Sequence, residues 1–217
     1  MALSLLSTST NSRNGNNVTT LSYNFTVPTG STILIVGVCV IAGGNGSTVT
    51  YNGSSLTFLG RATNSDTVEL WYLLNPTTNS LSTCSITIAS SAWDILSGWC
   101  SWSGNDTTTP FGSVYTNTGT SSTPSVTDTG YASGNASIGF VTQQNVTSSN
   151  NTQLWNYSND GESCAASYST STGSLSWNTS GSRFWAAVTA SLKPSGSAAL
   201  IPTSYIKNQA VKRASTY

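Results

Sequence analysis

The stretch that decides the fold runs from Thr32 to Ala42 and has the sequence TILIVGVCVIA. It is apolar at odd and even positions alike, and its Ile and Val residues are typical of strands. Successive side chains of a strand point to opposite faces of the sheet, so this strand needs cover on both faces. We therefore predict a central strand that is buried on both sides.

The flanking sequence predicts the strands that cover it. Short segments alternate apolar and polar residues and are separated by Gly, Asn, Pro and Ser, and Asn52-Gly53 is a strong hairpin signal. Many short strands with regular turns and no convincing helix before residue 197 indicate an all-β antiparallel β-sandwich that is jelly-roll-like. The clearest predicted strands are Val18–Val27, Thr67–Leu74, Leu81–Ala89, Trp93–Trp102, Ala136–Thr142 and Arg183–Leu192.

The sandwich domain is predicted to span residues 18–195, after an N-terminal segment of residues 1–17. Pro194-Ser195-Gly196-Ser197 is typical of a domain end, and residues 196–217 are interpreted as a C-terminal arm or anchor. The arm either orders on a neighbouring protein or frays as a tail. Its candidate anchor residues are Tyr205, Ile206, Lys207, Val211, Lys212, Arg213 and Tyr217.

The composition replaces charge by neutral polarity. Charged residues make up 6% of the chain, whereas Ser, Thr and Asn together account for 94 of 217 residues. Seven Trp, nine Tyr and five Phe argue against a disordered Ser/Thr-rich stalk, because a disordered chain is poor in such residues. The net charge is zero, so neither nucleic acid nor an acidic membrane is an expected partner. The first residues lack a basic region and a full apolar region, so no signal peptide is predicted.

The four cysteines are not arranged as metal ligands. They occur without a CxxC pair, and the chain has no His, so no zinc site is expected. Buried free thiols are the favoured interpretation, and one or two disulfides are the alternative. The residues concerned are Cys39, Cys84, Cys100 and Cys164.

No catalytic site is predicted, and the protein is not expected to be an enzyme. Without His, neither a Ser-His-Asp nor a Cys-His arrangement is possible. The carboxylates lie mostly in predicted turns, where Asp is ordinary turn chemistry. Asp160 and Glu162 could offer oxygen ligands to calcium, but their loop lacks the spacing of an EF-hand. No other cofactor is expected.

The tryptophans allow two interpretations. Exposed Trp rings can stack on sugars or fill protein interfaces, whereas Trp inside strands usually packs in a core. Trp99, Trp102 and Trp185 are predicted to be core residues. Trp155 and Trp177 are flanked by Asn and Ser, and they are predicted to be surface aromatics that could contact a glycan.

Several motifs resemble a β-sandwich module that recurs in bacteriophage virion proteins and in secreted bacterial surface proteins. The resemblance covers about residues 20–195, consists of turn and core signatures, and implies no catalytic residues. The motifs are Phe25-Thr26-Val27-Pro28-Thr29-Gly30-Ser31, Thr50-Tyr51-Asn52-Gly53-Ser54-Ser55-Leu56-Thr57, Glu69-Leu70-Trp71-Tyr72-Leu73-Leu74-Asn75-Pro76, Trp102-Ser103-Gly104, Thr109-Pro110-Phe111, Phe184-Trp185-Ala186-Ala187 and Ser191-Leu192-Lys193-Pro194.

Together these features favour a virion structural protein, specifically a phage capsid decoration (cement) protein. Its expected partners are the capsid lattice and further copies of itself. One alternative is a receptor- or glycan-binding module of a tail fibre or of a secreted adhesin. A second alternative is the subunit of an extracellular filament that pairs by strand addition. The expected location is the virion, or the cell exterior for a secreted protein.

Overall fold

The computed structural model describes residues 1–9, 12–43, 46–159 and 161–196. Within these ranges the chain forms antiparallel strands and no helix. The described residues therefore contain no helix that could cross a membrane. The predicted all-β sandwich is therefore confirmed. The predicted arm lies outside the described residues beyond Gly196, and with it all seven candidate anchors.

Sixteen strands are found in the described part of the chain. In chain order they are β1 (Ser4–Thr8), β2 (Ser12–Thr26), β3 (Ile33–Ile41), β4 (Thr48–Tyr51), β5 (Ser54–Ser55), β6 (Thr57–Thr63), β7 (Thr67–Leu74), β8 (Leu81–Ser103), β9 (Phe111–Ser121), β10 (Ser125–Thr127), β11 (Ala136–Thr142), β12 (Val146–Ser149), β13 (Thr152–Asn159), β14 (Glu162–Ser169), β15 (Ser174–Thr179) and β16 (Arg183–Leu192).

The strands form three sheets. The largest has eight strands in the order β5-β4-β8-β3-β7-β6, with β1 and β2 also paired to β8. The second has five strands in the order β13-β14-β11-β16-β9, and the third has the order β10-β15-β12. In the eight-stranded sheet β3 lies between β8 and β7, which is the central position that its sequence predicted.

Strand β3 separates two hydrophobic cores. One set of its side chains, including Ile33 and Ile35, packs against the five-stranded sheet. The alternate set, including Leu34 and Val36, packs against β2, β4 and the first half of β8. Every residue of β3 is buried, so the prediction of cover on both faces is confirmed.

The long strand β8 makes the two-sided cover possible. Two strands were predicted here, but one continuous strand of 23 residues runs through both segments. Its pairing with β2 shifts register between Gly15 and Thr20, and β8 has more residues than β2 in the stretch that ends at Ala92. Register shifts of this kind bend a strand. The first half of β8 thereby returns over the face of β3, and the sheet nearly closes on itself.

The third sheet covers the outer face of the five-stranded sheet. Val126, Leu175 and Trp177 from the small sheet pack on Val141 and Ala187. Trp177 was predicted to be a surface aromatic, and this prediction is wrong because its side chain is fully buried in this third core. The polar neighbours that suggested exposure are Ser176 and Asn178, which alternate with Trp177 along the strand.

The N-terminal residues belong to the sandwich. Strand β1 pairs with the end of β8 from Ser4 opposite Ser103, and β2 begins at Ser12. The predicted boundary at residue 17 is therefore wrong, because it falls inside a strand. Residues 12–17 contain no apolar side chain, so the alternation that predicts a strand begins only at Val18.

Two paired glycines shape the core between β3 and the five-stranded sheet, which we call the main core. Gly37 of β3 and Gly98 of β8 lie directly opposite each other. A Cβ on Gly37 would come within 3.0 Å of Cγ of Phe140, and one on Gly98 would come within 2.7 Å of Cδ2 of Trp155. The two missing side chains thus form a slot for these two rings, whose centroids are 5.8 Å apart.

Trp155 is therefore a core residue and not a surface aromatic, so this prediction is also wrong. It is buried in the main core, where its ring lies over Gly98. The sequence signal was misleading because the adjacent Asn156 and its neighbours suggested a loop, whereas they lie in β13.

A disulfide crosses the main core. Cys39 of β3 is bonded to Cys164 of β14, and the two Cα atoms are 6.0 Å apart. Cys84 and Cys100 are buried free thiols, so the structure contains one disulfide and two thiols. The bond closes a loop of 125 residues, and chain-entropy arguments give such bonds about 3–5 kcal/mol of stabilisation.

Gly98→Ala should lower the free energy of unfolding by about 1–3 kcal/mol, because its methyl group would overpack the ring of Trp155. Gly181→Ala is the matched control, since a Cβ there meets no atom within 4 Å. Chemical denaturation of both variants measures the difference. Equal stability of the two variants would show that the glycine slot is not required.

Candidate functional site

The sandwich has two unlike ends. At the proximal end, defined by Met1, Gly104 and Pro194 to Gly196, the amino group of Met1 donates to the carbonyl of Ser195 at 2.6 Å. Asn105 forms an isolated antiparallel β-bridge with Pro194 at the same end. The first and last described residues of the chain therefore meet there.

The distal end lies at the opposite tips of the same strands. Strand β3 runs from Ile33 at the proximal end to Ile41, which pairs with Asp94, and nine strand residues span about 26 Å. We define the distal end by six residues whose side chains or charges lie together there. These residues are Arg13, Asp66, Trp93, Asp94, Glu162 and Phe184.

A buried ion pair organises the distal end. Arg13 Nε donates to Asp94 Oδ1 at 3.0 Å, and Arg13 Nη2 donates to Oδ2 at 2.7 Å. The Asp94 side chain is fully buried and that of Arg13 is 19% exposed. Gly15 lies opposite Asp94 in the sheet, and a Cβ there would come within 3.2 Å of the carboxylate carbon. The absent side chain thus makes room for the carboxylate.

The first distal recess lies beside this ion pair. It is lined by Arg13, Asn14, Gly15, Asn16 and Trp93 and has a volume of about 450 Å³. Asn16 has a φ of 74° and the next residue, Asn17, a φ of 65°. This left-handed backbone, which Asn tolerates better than most residues, forms the bulge in β2 at the edge of the recess. Trp93 is 57% exposed.

The second distal recess is smaller and more acidic. It is lined by Ser65, Asp66, Gln144, Arg183 and Phe184 and has a volume of about 180 Å³. Burial raises the pKa of Asp66, although the Ala42 N–H donates to its Oδ1 at 3.0 Å and partly offsets the rise. Phe184 is an exposed aromatic at its rim.

Among its described residues, the distal end has three carboxylates, of which Asp66 and Glu162 have shifted pKa values. Burial raises the pKa of Glu162, and the negative charge of Asp66 raises it further. The pKa values of Asp66 and Glu162 are thus both raised. The third carboxylate, Asp94, is held by Arg13.

The predicted calcium ligands are only partly described. Asp160 lies outside the described residues, and Glu162 Oε1 accepts a hydrogen bond from Gln144 Nε2 at 3.4 Å. In the part of the chain that the structure describes, no three acidic, Cys or His side chains group as metal ligands. The calcium site remains an untested prediction.

Trp93 is the exposed tryptophan that sequence reasoning missed. It was included in an apolar run, Trp93–Trp102, whose other two tryptophans are core residues as predicted. The signal that could have identified it is its position between Ser90-Ser91 and Asp94, where the strict alternation of the strand breaks. Trp185 is buried, as predicted.

No protein-family model matches the chain, and it matches neither a curated protein nor a solved structure. The resemblance to a virion and surface module therefore rests on the quoted turn and core motifs.

Arg13→Ala should cost about 3–5 kcal/mol of folding free energy, because it leaves the carboxylate of Asp94 buried without its counter-ion. Arg183→Ala, which removes an exposed arginine at the same end, should change stability by less than about 0.5 kcal/mol. The double variant Arg13→Ala/Asp94→Asn should recover part of the loss, because the unpaired charge is gone. Thermal denaturation distinguishes the cases. An Arg13→Ala variant as stable as Arg183→Ala would contradict the organising role of the pair.

Proposed function

We propose that the protein is a non-enzymatic structural protein of a bacteriophage virion, a capsid decoration protein attached through its proximal end. The observation that carries the proposal is the meeting of the two described chain ends there. Residues 197–217 continue from Gly196, so an attachment through them would leave the distal end directed away from the particle. A decoration protein needs this division between an attached end and a displayed end.

The body of the protein suits exposure on a particle. A disulfide joins its two main sheets, and three cores hold the layers together. The surface is hydrated by neutral hydroxyl and amide groups, since only 6% of the residues are charged. A neutral surface has little long-range attraction for nucleic acid or for charged membranes, so specific contacts must fix the protein to its partner.

The proximal end also offers apolar surface for such contacts. A recess of about 440 Å³ is lined there by residues that include Met1, Leu3, Gly134 and Pro194. The side chain of Met1 is exposed. Apolar groups at a surface gain free energy when a partner covers them. A capsid subunit that receives the C-terminal residues would meet this recess first.

The experiment is an association assay with particles assembled from the major capsid protein of the same genome. The full chain, a variant that ends at Gly196, and Trp93→Ala are each mixed with particles and sedimented. The full chain and Trp93→Ala should co-sediment with the particles, because the distal end faces away from the lattice. The truncated variant should remain in the supernatant with an unchanged circular dichroism spectrum.

Two outcomes would contradict the proposal at different points. Absence of the full chain from the particles would overturn the assignment to the capsid. Retention of the truncated variant would keep that assignment and overturn the attachment through residues 197–217.

A further inference from the structure

Trp93 differs from every other tryptophan of the chain. The other six are at most 7% exposed, whereas Trp93 is 57% exposed. Its two chain neighbours, Ala92 and Asp94, are both buried, so the backbone on either side of the ring is held in place. A rigidly mounted aromatic ring loses little conformational entropy when a ligand covers it.

Polar groups surround one side of this ring in a fixed arrangement. The guanidinium of Arg13 forms a wall of the recess and is held by two hydrogen bonds from its Nε and Nη2 to Asp94. Asn14 and Asn16 line the same recess, and each amide group carries both donors and acceptors. Asn14 is positioned by a hydrogen bond of 2.6 Å from its Nδ2 to the carbonyl of Thr20.

An aromatic face beside neutral amides matches the chemistry of a sugar. A pyranose ring presents C–H groups on its face and hydroxyl groups around its edge, and the hydroxyls both donate and accept. Ligand sites typically combine an aromatic surface with a few placed polar groups. The recess volume of about 450 Å³ is large enough for one or two sugar rings, since small-molecule sites measure about 300–1,000 Å³.

The charges of the distal end select against acidic sugars. The positive charge of Arg13 is balanced by Asp94, and Asp66 lies close enough to Glu162 for its negative charge to raise the pKa of Glu162. Among the described residues of the distal end, three carboxylates thus lie with two arginines, the second of which is Arg183. An anionic saccharide would be repelled by the excess negative charge, whereas a neutral one would not.

We propose that the recess at Trp93 binds a neutral saccharide, with the indole face against a pyranose ring and the amides of Asn14 and Asn16 hydrogen-bonded to its hydroxyl groups. This site goes beyond the proposed capsid role and does not depend on it. A decoration protein with such a site would attach the particle to a polysaccharide surface. A secreted adhesin would use the same recess in the same way.

The test uses the full chain and the fluorescence of its tryptophans. The probes are maltoheptaose, mannotriose and a galactose oligomer as neutral sugars, with a sialylated lactose as the anionic comparison. Because Trp93 is the accessible tryptophan, a bound neutral sugar should protect the emission from acrylamide quenching. Trp93→Ala lacks this reporter, so its affinity is measured by isothermal titration calorimetry beside the unchanged protein, and it should be weaker by at least roughly tenfold, as after loss of a central aromatic contact. Trp93→Phe should retain part of the affinity.

The matched control is Phe184→Ala, which removes the other exposed aromatic of the distal end and should leave saccharide binding unchanged. Circular dichroism shows that each variant is folded. The proposal is overturned if no neutral probe binds at concentrations up to roughly 10 mM, a generous limit for weak ligands. Binding of unchanged affinity in Trp93→Ala, or binding of the sialylated probe alone, would overturn it equally.

Discussion

The burial of β3 on both faces is the constraint on which the rest of the structure depends. A strand of nine residues without a polar side chain is stable only if apolar groups cover it above and below. The cover on one side comes from the five-stranded sheet, and on the other from the returning half of β8 with its partners β2 and β4. The eight-stranded sheet must therefore curl, and the bend near Ala92 that allows this also places Trp93 at the distal end.

The alternation of apolar residues predicted most of the strands, but three features depend on contacts between distant residues. The continuity of β8 through Ala89–Ala92 requires partner strands that a local pattern does not contain. The choice of Cys39 and Cys164 for the disulfide follows from the stacking of β3 on β14, which brings together residues 125 positions apart. The burial of Trp155 depends on Gly98, whose missing side chain leaves space for the ring.

The candidate site was harder to predict than the fold, because the exposure of a side chain depends on which face of the sheet it lies on and on what covers that face. Trp155 and Trp177 have polar neighbours and are buried, whereas Trp93 begins an apolar run and is exposed. In each case the face of the sheet on which the ring lies decides, and the bulge in β2 opposite Trp93 has no strong local signal apart from Gly15 and the two Asn residues after it. The meeting of Met1 and Ser195 at the proximal end likewise depends on a contact between distant residues that no local pattern contains.

Amide hydrogen exchange followed residue by residue tests the central role of β3 most directly. Amides of Leu34 to Val40 and of their partners in the second half of β8 should exchange last and together, at the rate of global unfolding. The edge strand β9, paired on one side only, should exchange earlier. If β3 exchanged as fast as β9, or if the five-stranded sheet kept its protection after β3 had lost it, the two-sided burial of β3 would not be what holds the layers together.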